Sequence, residues 1–220
     1  MVNSMTLKFR VEQGELGKDD LSLVYTKYCP LLRTMGKRLA LLNIIPLIED
    51  PMGSKKYRTS SNMSIRVREV NVNGYLITGS NVIKSDLRLE DCLFVTHYDR
   101  INKVFTAYGD VQPSREIFIS QELYERFTQL STVIHIHDLL ALQHYRKLQL
   151  PITRRKIFFA DEDEAKEIAD LIDKIPACIT LKDHGQIFCA HSVNEALEYI
   201  EKINQMAVAI HREQNLTLPH

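Results

Sequence analysis

Met63-Ser64-Ile65-Arg66-Val67-Arg68, then Asn73-Gly74, then Tyr75-Leu76-Ile77-Thr78 is the stretch on which the fold turns. Met63, Ile65 and Val67 alternate with Ser64, Arg66 and Arg68, which is the period of a strand with one apolar face. Asn73-Gly74 supplies a turn and Tyr75 to Thr78 resumes an extended run, so the segment predicts a β-hairpin. Cys92 to Thr96 and Val104 to Ala107, separated by His97-Tyr98-Asp99-Arg100, predict a second one. Ser131 to His137, Lys156 to Ala160 and Ala177 to Ala190 add strand material, and hairpin connections make the sheet mostly antiparallel. Around it the period is helical. Asp19 to Leu42 predicts two helices divided at Pro30, and further helices fit Glu116 to Gln129, Asp138 to Gln149, Asp161 to Asp173 and Val193 to Arg212. The last two open with capping boxes, Asp161 with Glu164 and Ser192 with Glu195. Ala196, Ile200, Ile203, Ala207 and Ile210 form one stripe that should pack on the sheet. The expected class is α+β, with helices layered on a mostly antiparallel central sheet.

The chain has 220 residues, enough for one core, and a single domain over 1–220 is expected. Hydrophobic residues at 45% and charged residues at 25%, with 8 Gly and 7 Pro, exclude fibrous and disordered classes. Lys plus Arg (28) balances Asp plus Glu (28), so no excess charge draws the protein to nucleic acid or to a membrane surface. No apolar run approaches the roughly 20 residues of a membrane span, and Met1 to Arg10 lacks a signal-peptide core, which predicts a cytoplasmic protein. Cys29, Cys92, Cys178 and Cys189 are not closely paired and read as reduced core thiols.

In Thr132-Val133-Ile134-His135-Ile136-His137, period two sends His135 and His137 to one face and Ile134 and Ile136 to the other. Two imidazoles on one face can chelate an ion, and they can equally be half-exposed strand histidines. His184, between an apolar run and Gly185, can point into a pocket or bond locally in its turn. His97, His144, His191, His211 and His220 read as solvent-facing. Three neutral imidazoles with an open fourth position are the ligand set of a catalytic zinc. Glu116, after Pro113-Ser114-Arg115, suits a proton acceptor or simply a helix-start acid favoured by the helix dipole.

Six segments in order, Ser60-Ser61-Asn62-Met63-Ser64-Ile65-Arg66, Tyr75-Leu76-Ile77-Thr78-Gly79-Ser80-Asn81, Leu89-Glu90-Asp91-Cys92-Leu93-Phe94-Val95, Pro113-Ser114-Arg115-Glu116, Val133-Ile134-His135-Ile136-His137 and Leu181-Lys182-Asp183-His184-Gly185, resemble the class II aldolase/adducin family. The resemblance runs from about Asp19 to Arg212. It implies a three-layer α/β/α fold, a homotetramer with active sites between subunits, and a divalent metal, commonly Zn2+, held by His135, His137 and His184. It places Glu116 on the acid/base carboxylate, and Asn62, Thr78, Gly79, Ser80, Asn81, Ser114 and Arg115 on the substrate pocket. The implied function is a metal-dependent lyase, working by retro-aldol cleavage or decarboxylation through a metal-bound enediolate on a small phosphorylated or acidic sugar-like substrate. Sugar-phosphate epimerisation is a neighbouring activity, and a catalytically decayed adducin-like interaction module is the alternative. The sequence departs from the family where Ser61 replaces glycine, where Arg115 replaces a second serine, and where Ser120 replaces a histidine. The tyrosine that such aldolases lend to a neighbouring subunit is not found; Phe158 and Phe159 occupy that region.

Overall fold

The computed structural model describes residues 9–49, 57–114, 116–157 and 160–216. In chain order the elements are β1 (Arg10–Gln13), α1 (Lys18–Leu41), β2 (Leu47–Glu49), β3 (Tyr57–Thr59), β4 (Asn62–Arg68), β5 (Asn73–Thr78), β6 (Cys92–Asp99), β7 (Val104–Tyr108), α2 (Ile117–Arg126), β8 (Thr132–Ile136), α3 (Leu139–Gln143), α4 (Glu162–Asp170), β9 (Ala177–Leu181), β10 (Gly185–Ala190) and α5 (Val193–Leu216). Eight strands form one sheet in the order β1-β7-β6-β5-β4-β8-β10-β9, while β2 and β3 pair separately. Every pairing in the large sheet is antiparallel except β1 with β7. The short β1, β2 and β3 are not legible in the sequence: three or four residues are too few for a period to show.

Alternation along the strands feeds two cores. Met63, Ile65, Leu76, Phe94, Ile134, Ile136 and Phe188 lie on one face with α1, α3 and α5. Ile77, Leu93, Val95, Val133, Ile179 and Ile187 lie on the other with α2 and α4. The layers are therefore α/β/α, as expected, and the stripe Ala196, Ile200, Ile203 and Ala207 of α5 is buried in the first of these cores. Cys29, Cys92, Cys178 and Cys189 are buried free thiols.

Several local expectations are corrected. Pro30 does not divide a helix: α1 runs through it for 24 residues. Pro30 faces solvent, while Val24, Tyr28, Leu32, Met35 and Leu39 form a buried stripe on both sides of it. Burial at ~1.5–3 kcal/mol per large side chain outweighs the ~3 kcal/mol that an interior proline costs. Asn73-Gly74 is not the hairpin turn; both residues pair in β5, and the turn is Glu69 to Val72, closed by Glu69 N–H donating to the Val72 carbonyl at 2.9 Å. Gly74 is needed for another reason, since a Cβ there would stand 2.1 Å from the Val95 carbonyl oxygen of β6. Asp138 to Gln149 is not one helix; α3 ends at Gln143. Lys156, Ile157 and Ala160 are not in a strand, and Phe158 and Phe159 lie outside the described residues. His144 is buried rather than solvent-facing, with its Nε2 3.3 Å from His211 Nδ1 where α3 meets α5. His211 is half-buried, His97 and His191 are exposed, and His220 lies outside the described residues. The Asp161–Glu164 capping box forms in both directions. At Ser192 the hydroxyl accepts from Glu195 N–H, whereas the Glu195 carboxylate turns to His191.

The polar side of β4 is covered by α2, which fixes where the first turn of that helix sits. Ser64 Oγ lies 3.0 Å from both Ser120 Oγ and the Tyr124 hydroxyl. Arg66 donates through Nε to the Leu130 carbonyl at 2.7 Å and through Nη2 to the carbonyls of Tyr124 and Phe127, gathering acceptors left open at the end of α2. Arg66→Met should keep the aliphatic packing but leave those carbonyls unpaired, lowering unfolding free energy in urea titrations by about 2–4 kcal/mol. A loss below about 0.5 kcal/mol would show that water replaces the guanidinium without cost.

Candidate active site

β8 lies between β4 and β10, and its register sets Asn62 opposite His135 on one side and Ile187 opposite it on the other. Ile134 and Ile136 enter the core under α5, so His135 and His137 project on the α2 side. The third imidazole arrives from the turn between β9 and β10. Asp183 takes the left-handed conformation (φ 55°), which a short polar side chain tolerates, and the chain reverses tightly enough to bring His184 beside the pair. Ring centroids stand 4.6 Å (His135–His137), 4.9 Å (His135–His184) and 4.9 Å (His137–His184) apart. One ligand atom from each ring falls within 4.8 Å of the others.

Two carbonyls orient this cluster. His135 Nδ1 lies 3.1 Å from the Gln186 carbonyl oxygen and His184 Nδ1 lies 2.6 Å from that of Ile157. A carbonyl only accepts, so each Nδ1 carries a proton, which in the neutral ring leaves the lone pair on Nε2. That is the outer-shell arrangement by which ligating histidines are held. Burial, reinforced by the neighbouring imidazoles, pushes His135 and His137 down to about 3, so both are neutral donors near neutral pH. The donor set fits a divalent metal ion.

Glu116 stands at the cluster. Its Oε1 is 3.3 Å from His135 Nε2 and 3.9 Å from His184 Nε2. Its Oε2 accepts from Asn62 Nδ2 at 2.5 Å, and Ser114 Oγ accepts from both Asn62 Nδ2 (3.2 Å) and Glu116 N–H (3.3 Å). Burial pushes the carboxyl up to about 7, against the opposing pull of His184, Asn62, Lys84 and Ser114. Glu116 is the N-cap of α2, but its side chain makes no capping bond. The carboxylate is therefore turned toward the histidines rather than the helix end.

These groups open onto a cavity of about 460 Å³, a volume suited to a small ligand. Ser80, Asn81 and Ser114 line it, together with Arg58, Lys84, Glu116 and the three histidines. Asn81 adopts φ 57°, the conformation for which asparagine substitutes for glycine. Ser80 Oγ donates to the Pro113 carbonyl at 2.7 Å and ties the β5 loop to the segment before Glu116. Thr78 is fully buried and its hydroxyl accepts from Met63 N–H, so it belongs to the wall rather than to the lining. Gly79 serves through close approach, since a Cβ would stand 2.7 Å from Val111 Cγ2. Asn62 is buried behind Glu116. Arg115 lies outside the described residues. Ser120 joins the hydroxyl cluster with Ser64 and Tyr124, and none of these lines the cavity.

Sequence reading misses four contributors. Lys84 reads as one more surface lysine in Ile83-Lys84-Ser85-Asp86, yet it is 2% exposed and lines the cavity. The carbonyls of Ile157 and Gln186 carry no side-chain signal at all. Gly185 reads only as a turn neighbour, although a Cβ there would meet the Ile136 carbonyl oxygen at 2.4 Å and His137 Cδ2 at 2.5 Å.

Residues 56–210 match the family described as Class II Aldolase and Adducin N-terminal domain. The chain belongs to the class II aldolase/adducin family. Solved structures share the fold at low identity. L-fuculose-1-phosphate aldolase from Thermus thermophilus is 20% identical over 87% of this chain and 97% of its own, with a TM-score of 0.63. A sugar-phosphate aldolase from Thermotoga maritima is 12% identical over 87% and 98%, with a TM-score of 0.68. The N-terminal class II aldolase domain of a conserved protein from Thermoplasma acidophilum is 15% identical over 94% and 99%, with a TM-score of 0.58. No curated protein matches the sequence. Among the described residues no helix is long and apolar enough to cross a membrane.

Gly185 gives the site a test that leaves the ligands intact. Gly185→Ala must push β10 from β8 or displace the His137 ring, and zinc affinity measured against a competing chelator should fall about 10- to 100-fold. Unchanged affinity would show that the strands yield without moving the imidazoles.

Proposed function

We propose that this family member is a metal-dependent lyase that holds Zn2+ through His135, His137 and His184 and cleaves or decarboxylates a small phosphorylated or acidic sugar-like substrate. The observation that carries the reading is a buried carboxylate 3.3 Å from the nearest imidazole of a three-histidine cluster, in one cavity. A divalent ion, when bound, polarises a substrate carbonyl or hydroxyl and stabilises negative charge on its oxygen. Everything else is done by side chains of this chain. Glu116 Oε1 moves the proton, and a carboxyl raised by burial is suited to both accepting and returning it near neutral pH. Asn62 holds Oε2 and, through Ser114, fixes the carboxylate plane. Ser80, Asn81, Ser114 and Arg115 contact the substrate, on a wall shaped by Thr78 and Gly79.

A decayed adducin-like module is disfavoured because three oriented imidazoles and a desolvated carboxylate are costly to keep in a core unless they are used. Retro-aldol cleavage and decarboxylation need the same groups, and epimerisation is the neighbouring activity. The reading includes a homotetramer, with the site near a subunit boundary, and a cytoplasmic setting, for which four free buried thiols are suited.

Glu116→Gln keeps volume and the Asn62 contact region but removes the base. With phosphorylated ketoses and 3-keto acids as substrates, turnover should fall about 10²-fold or more while bound zinc per chain stays unchanged. Parent-level turnover in this variant would assign the proton transfer to another group. In sedimentation at micromolar concentration the protein should run as a tetramer; a monomer would remove the subunit-boundary part of the reading.

A further inference from the structure

Lys84 is the buried charge that the proposed reaction does not use. It belongs to the short 3-10 turn Lys84–Asp86 and is 2% exposed, yet it lines the same cavity as Glu116 and the histidines. The fold places it with care. Its backbone N–H donates to Thr59 Oγ1 at 3.1 Å, and Thr59 in turn donates to the Val82 carbonyl. Helix α1 lies directly behind it, so closely that a Cβ at Gly36 would be 1.8 Å from the Lys84 carbonyl oxygen. A surface lysine needs none of this.

The ammonium has three donors. Two reach backbone carbonyls, Gly79 at 3.2 Å and Thr59 at 3.4 Å, both long for a charged donor. Among the described residues no carboxylate lies within ion-pair distance of it, and the charges nearest in effect include the Arg58 guanidinium, which lines the same cavity. Burial and Arg58 together push Lys84 down to about 7, against the weaker opposing pull of the Glu116 and Asp91 carboxylates, the behaviour of a cation short of close counter-charge. A negatively charged ligand in the cavity would supply it. Carbonyls at Gly79 and Thr59 orient the charge but cannot neutralise it.

We infer that Lys84 is a specificity-determining residue that binds the anionic group of the substrate, a phosphate or a carboxylate, from the floor of the cavity beside Ser80 and Asn81. This rests on the reading of the cavity as a substrate site, but not on the metal or on the reaction. Lysine acts here as a point charge and so accepts either anion. Selection between them falls to the hydroxyl and amide groups around it.

The test is calorimetric titration of inorganic phosphate and, separately, malonate into the zinc-loaded protein and into Lys84→Met. At least one anion should bind the parent, and Lys84→Met should weaken it about tenfold or more, the loss of a charged hydrogen bond, with zinc per chain unchanged. Phosphate sensitivity points to a phosphate ester and malonate sensitivity to a sugar acid. Equal affinity in parent and variant, or no binding of either anion to the parent, overturns the inference. If Lys84→Met does not fold, acetylation of the parent by acetic anhydride replaces it, read by peptide mass spectrometry with exposed Lys37 as reference. The anion should then slow Lys84 modification at least about fivefold against Lys37, and equal rates overturn the inference. A parent that binds phosphate through Lys84 but holds no zinc would end the metal-lyase reading and leave this one standing.

Discussion

The register of β8 between β4 and β10 is the constraint from which the site follows. Both faces of the sheet are buried, so a slip of one residue would carry His135 and His137 under α5 and set Ile134 and Ile136 among the polar groups of the cavity. Two costs oppose that slip: imidazoles would lose their carbonyl partner, and isoleucines would lose an apolar one. The register also sets Asn62 opposite His135. Glu116 is bonded to Asn62, so the position of the acid is tied to the position of the histidines through a single cross-strand pair.

Desolvation does the chemical tuning. Burial holds His135 and His137 neutral, the form in which an imidazole can bind a cation, and raises Glu116, which suits it to proton transfer. The same burial leaves Lys84 a cation with no carboxylate at ion-pair distance among the described residues, pushed down despite the opposing pull of Glu116 and Asp91. Opposite consequences for donors and carboxylate arise from one low-dielectric enclosure, and they make the pocket electrostatically incomplete in two places. Family membership fixes the fold, whereas what the cavity accepts depends on the groups that line it, Lys84 among them.

Backbone groups matter as much as side chains here. The carbonyls of Gln186 and Ile157 choose the tautomers of His135 and His184, and those of Gly79 and Thr59 hold Lys84. Glycines at 185 and 36 allow the close approaches that bring these carbonyls and rings into place. Such contacts are made between segments far apart in sequence, and they leave no local pattern.

The sequence by itself determined the antiparallel hairpins, the layered α+β class, the shared face of His135 and His137, and the capping of α4, because each of these depends on periods of two or 3.6 residues or on a three-residue spacing; helices on both faces of the sheet were implied only by the family resemblance. It also marked His184 and Glu116 as candidates from their places at a strand-end turn and a helix start, with a bland reading left open for each, and the resemblance then supplied their implied roles. Only the tertiary structure decided that α1 passes through Pro30, since the buried stripe on either side holds the two halves in line. Only there does Asn73-Gly74 become strand, because β6 passes too close for any other residue at Gly74. Tertiary structure alone turned Glu116 away from its helix end and drew Lys84 out of solvent, for both depend on partners supplied by distant strands and on the water those partners exclude.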